Sequence, residues 1–158
     1  MDTKKIVKLG VDNITKEFSS RVSDIDFKRT KKWFWTRVKE GYVDFIHLHQ
    51  SGSSYGAPIN NSVSFRLHIG RRELNDNSDY IHLNGPCTDD AEYHSGRYHL
   101  RFNAKSGSTF DRCLDDLERF VINVGEPWFS LNENHGNGED KENTKLAFKL
   151  LGIKGIKV

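Results

Sequence analysis

Between Trp33 and Asn103 the apolar residues of this chain tend to recur at every second position, whereas on either side of that block they recur every third or fourth. A backbone whose side chains alternate faces is a strand, and one that restores the same face after 3.6 residues is a helix, so the change of period limits the fold before any single residue is weighed. The clearest alternation sets Val63, Phe65, Leu67 and Ile69 against Ser64, Arg66 and His68, which predicts a strand with one apolar and one polar face. Trp33 to Val38 is rich in aromatic and β-branched residues and leads through Glu40-Gly41 into Tyr42 to Gln50. Two strands joined by so short a turn run antiparallel. Tyr98, Leu100 and Phe102 predict a last strand, and Tyr80 to Leu83 a short edge strand.

The flanks read as helices. Val7, Val11, Ile14, Phe18 and Val22 form one stripe, interrupted only by Gly10, which weakens a helix by about 1 kcal/mol relative to Ala. After the strands, Ser108 and Asp111 have the spacing of a capping box, and Phe110, Leu114, Leu117, Val121 and Val124 carry a stripe to Gly125, expected as the stop, with Pro127-Trp128-Phe129 ending any continuation. Asn132 to Asn143 is expected as a loop and Thr144 to Leu151 as a third helix. Lys28 to Lys32 is a basic approach to the first strand, and Ser51 to Asn61 a polar connection. Strands in one block with helices at the ends predict the α+β class: a mainly antiparallel sheet of four to five strands with an N-terminal helix and two C-terminal helices packed on it.

The 158 residues suit a single domain spanning 1–158, whose core needs neither disulfide nor metal to hold it. No apolar run approaches the roughly 18–20 residues of a membrane span, and the start MDTKKIVKLG lacks a signal-peptide core, so a cytoplasmic protein that does not enter the membrane is expected. Cys87 and Cys113 fit no metal or redox spacing and are read as reduced thiols, Cys113 in the core and Cys87 exposed in a turn.

Two common catalytic signatures are absent: there is no phosphate-binding glycine loop and no HExxH. What remains is histidine on strands. Of seven histidines, His47, His49, His68, His82 and His99 fall in predicted strands, with His68 and His99 beside Arg66 and Arg101. If these converge, imidazoles and guanidinium groups could serve as acid, base and phosphate clamp in a metal-free ribonuclease. The competing reading is that polar strand positions are simply solvated, and the face of His47 and His49 stays open because they share parity with Val43 and Phe45. Lys28 to Lys32 followed by Trp33-Phe34-Trp35 interleaves charge with aromatics as single-stranded nucleic-acid binders do, but a net charge of +2 makes nucleic acid the lesser expectation.

The run Asp26-Phe27-Lys28-Arg29, Trp33-Phe34-Trp35, Tyr42 to Ser51 and Val63 to Gly70, with Gly125-Glu126-Pro127-Trp128-Phe129 at the helix exit, resembles the bacterial family catalogued as domain of unknown function 4304. Asp26 replaces a usual Gly, and Gln50-Ser51 lacks the family's spacer; the resemblance covers residues 5 to 130. It transfers no catalytic residues. It implies a small α+β bacterial protein, and by its genre a partner-binding module such as an immunity protein that neutralises a cognate toxin. The expectation is therefore a non-enzymatic protein-binding module, with no cofactor and no metal, contacting its partner through Trp33, Trp35, Tyr55, Arg66, His68 and Arg101. The alternative is an RNA-cleaving or RNA-binding domain using the His/Arg sheet face.

Overall fold

In the computed structural model, residues 2–51, 61–73, 85–89 and 98–131 are described. The first stripe forms helix α1, Thr3–Ser23, capped by Asp2, whose Oδ1 accepts from the Lys5 amide at 2.9 Å. Its apolar residues Val7, Val11, Ile14, Phe18 and Val22 are all buried. Gly10 is buried with them, and a Cβ there would sit 2.8 Å from the Ala104 Cβ. The residue that weakens the isolated helix is thus the one that lets it approach the turn after the last strand.

Five strands follow in one sheet whose spatial order matches the chain order: β1 (Lys28–Lys31), β2 (Phe34–Lys39), β3 (Tyr42–Ser51), β4 (Ser62–Glu73) and β5 (Arg101–Asn103). Every pairing is antiparallel, so the class is α+β with an antiparallel sheet. The basic segment is itself the edge strand β1, paired irregularly with β2; lysines on an open edge discourage pairing with other chains. Gly41, at φ 84°, makes the β2–β3 turn. Tyr98 and Leu100 are buried as the alternation requires, but regular pairing begins only at Arg101. The edge strand expected at Tyr80 to Leu83, the loops around Tyr55 and at Asn132 to Asn143, and the helix expected at Thr144 to Leu151 lie outside the described residues.

Cross-strand register assigns the faces. Trp35 opposes Ile46, which opposes Ile69, and Leu48 opposes Leu67, all in the core cluster shared with α1 and the C-terminal helix. Trp35 is 0% exposed; its indole meets Phe18 edge-on at 4.9 Å and its Nε1 donates to Ser19 Oγ at 2.8 Å. Two positions further along this face, Arg37 opposes Asp44 and Asp44 opposes Arg71, a charged row inside the protein. Arg37 Nε and Nη2 donate to Asp44 Oδ2 at 3.0 and 2.9 Å, and Arg71 Nε to Oδ1 at 2.6 Å. The Arg37 guanidinium lies 4.3 Å from the Phe27 ring centroid, and that of Arg71 3.8 Å from that of Tyr42. With Glu126 Oε1 2.8 Å from Arg37 Nη2, two cations meet two anions, which is how charge is tolerated there.

The C-terminal helix departs from expectation. Helix α2 (Phe110–Phe120) begins at Thr109 rather than with a Ser108–Asp111 box: Thr109 has φ 64°, makes no side-chain cap, and turns its Oγ1 to donate to the Arg101 carbonyl at 3.0 Å. It does not stop at Gly125 or Pro127. A π-helical turn, Val121–Gly125, leads directly into α3 (Glu126–Leu131), the Glu126 amide bonding to the Val121 carbonyl five residues back. The widened turn changes the ladder's register ahead of Pro127, which then falls in the first turn of α3, where its missing N–H is tolerated. Among the described residues, the first of the two expected C-terminal helices is therefore longer than expected and interrupted, running to Leu131. No helix among the described residues is long and apolar enough to cross a membrane.

Candidate functional site: a histidine and arginine face of the sheet

The face of the sheet turned away from the helices carries Phe34 and Thr36 from β2, Val43, Phe45, His47 and His49 from β3, and Ser64, Arg66, His68, Gly70 and Arg72 from β4. Its first part is also closed to solvent: Val43 and Phe45 are 0% exposed and Arg72 2%. Strand β3 is thus buried on both sides at its start, which is why parity alone left His47 and His49 unplaced. Further along, polar groups come to the surface. Phe34, His47 and His68 form one cross-strand row, and His49 and Arg66 are paired two positions on.

Three of the strand histidines thus converge with Arg66. The His47 ring lies on Phe34 at 4.6 Å between centroids and 6.3 Å from His49. Burial, then the neighbouring His49, His68 and Arg66, lowers the pKa of His47, so it is neutral at pH 7. His68 Nε2 lies 3.1 Å from the Gly85 carbonyl, and because a carbonyl only accepts, that nitrogen carries the proton. Arg66 Nη1 is 3.4 Å from Asp89 Oδ2 in an exposed, weak pair. No hydrogen bond to a carboxylate orients His47, His49 or His68 among the described residues. Nor do those residues contain a group of three or more His, Cys, Asp or Glu able to hold a metal.

Arg101 lies on the same face, since it opposes Ser64 across β4 and β5. His99 does not join the other histidines: its amide donates to Asp116 Oδ2 of α2 at 2.6 Å, and its ring lies beside Arg101 and Arg112. Of the expected contact residues, Arg66, His68 and Arg101 share this face. Trp35 is corrected to a core residue, because a ring with no exposed surface meets no partner in the folded protein. Trp33 is half-buried against the helix-side core with Lys32 Nζ 5.3 Å from its centroid, away from Arg66. Tyr55 lies outside the described residues.

Sequence reasoning missed the segment that anchors His68. Residues 85–88 run along the outer edge of β4: the Gly85 amide bonds to the Ile69 carbonyl at 3.0 Å, the Ile69 amide to the Pro86 carbonyl at 3.1 Å and the Thr88 amide to the Leu67 carbonyl at 2.9 Å. Cys87, expected exposed, is buried there opposite His68. The signal was Gly85, where a Cβ would come within 2.9 Å of the Ile69 carbonyl oxygen. Cys113 is a core thiol, its pKa pushed up to about 12 by burial and then by Asp116.

In comparison with known proteins, the chain matches no family model, no curated protein and no solved structure. The resemblance to domain of unknown function 4304 rests on its quoted residues alone.

Proposed function

We propose that this protein is a non-enzymatic binding module that docks another protein through the surfaced part of its helix-free sheet face, with Arg66, His68 and Arg101 as contacts and His49 beside them. The observation that carries the reading is register: β3, β4 and β5 set Arg66 and Arg101, both able to clamp carboxylates bidentately, on one side of a rigid sheet. Such a surface favours an acidic partner and gives specificity and association rate more than raw affinity. The partner class implied by the resemblance is a cognate toxin, which makes the module an immunity protein. Co-expression with the toxic product of a neighbouring gene tests it: the wild type is expected to rescue growth, and Arg66→Glu/Arg101→Glu to lose both rescue and co-purification while its circular dichroism stays unchanged. Equal rescue by the double variant would remove this face from the interface.

A second reading, RNA binding or metal-free cleavage, draws on the ring of His47 lying on Phe34 beside His49 and Arg66. Labelled RNA cleaved by the wild type and spared by His47→Ala and His49→Ala would favour it.

A further inference from the structure

Beside this face, the outer edge of β4 changes partner. Residues 87 and 88 lie along Leu67 and His68, whereas Leu100 and β5 lie along Val63 to Phe65. Between the two, backed by α2, opens a cavity of about 480 Å³, within the roughly 300–1,000 Å³ of small-molecule sites. Its charges are unequal. Arg101 and Arg112 line it together with His99, and Asp89 is the one acid in the lining. Neither arginine has a carboxylate partner among the described residues. Among the described residues, Asp89 is shared with Arg66 in a weak, exposed pair, and Asp116 is engaged by Arg119 and the His99 amide. The Thr88 hydroxyl oxygen accepts from the Leu67 amide at 3.1 Å, which leaves its proton to donate. Buried Phe65 and Leu100 supply an apolar wall.

We infer that this cavity binds a small phosphate monoester, its phosphate held by Arg101 and Arg112 with the Thr88 hydroxyl as donor, and its apolar or aromatic body against Phe65 and Leu100. Two guanidinium groups against the single carboxylate of Asp89, itself shared with Arg66, leave a positive excess suited to a dianion, and the wall distinguishes an ester from the free ion. The site is independent of whether the sheet face docks a protein, although Arg101 borders both.

The test is titration of the folded protein with phenyl phosphate at about 50 mM ionic strength, where exposed charges are little screened, followed by calorimetry and by the His99 ring resonances. Saturable binding that shifts His99 is expected, weakened at least tenfold by Arg101→Ala/Arg112→Ala and unchanged by Lys8→Ala on α1. Inorganic phosphate is expected to bind more weakly, and benzyl alcohol not to bind at saturable levels. Both arginines are exposed, so the fold should survive; Arg112→Gln alone serves if the double variant unfolds. Phenyl phosphate that leaves His99 unmoved, or binds the arginine variants as tightly as the wild type, would overturn the site. Inorganic phosphate binding as tightly as the ester would overturn the role of the apolar wall.

Discussion

Asp44 is the residue on which most of the buried charge depends. It is 0% exposed and holds two guanidinium groups that have left bulk water. A buried ion pair is poor evidence of net stabilisation, but removing one partner strands the others. Asp44→Ala is therefore expected to cost about 3–5 kcal/mol in urea unfolding, against under about 1 kcal/mol for breaking the exposed Arg66–Asp89 pair with Asp89→Ala. His47 makes a second, milder statement through pH. Its pKa is lowered in the folded protein, so between that value and the unfolded value of about 6.5 the unfolded chain binds more protons. Stability is then full above pH 6.5 and falls as the pH drops through the folded pKa. The His47 ring resonances should titrate below the ordinary histidine value, and His47→Gln should flatten the loss of urea stability as the pH falls below about 6.5.

Among the elements, α1 shows how a local preference and a packing need can oppose each other. Gly10→Ala gains about 1 kcal/mol of helix propensity but drives a methyl group into Ala104, and overpacking of this kind costs about 1–3 kcal/mol. Net destabilisation is expected in thermal or urea unfolding, relieved in Gly10→Ala/Ala104→Gly. Strands β2, β3 and β4 and the α1 stripe were legible because each is a repeated pattern that several residues support at once, whereas β1, Lys28–Lys31, has no apolar alternation to reveal it. The C-terminal helix was misread because Gly125 and Pro127 are stop signals one at a time, and no period reveals a π-helical turn that absorbs both. The row Arg37–Asp44–Arg71 was hidden for a related reason. Alternation says which side of a strand a residue takes, but not whether the polar members of that side are buried.

At the scale of the whole molecule, the sheet places its described polar residues in contrasting settings. One is sealed under the helices, one surfaces on the opposite face, and one lines the notch at the outer edge of β4. Sequence placed Arg66, His68 and Arg101 among the candidates, and register shows them on one face; it could not separate His99 from them, because that requires knowing that α2 passes behind Leu100. The divided outer edge of β4 has one further consequence. The amide of Ile69 is paired with the Pro86 carbonyl, so loosening residues 85–88 would expose this part of β4 as an unpaired template for another copy of the chain. Gly85, where a Cβ would meet the Ile69 carbonyl oxygen at 2.9 Å, lets that segment come close enough to bond and so keep the edge covered.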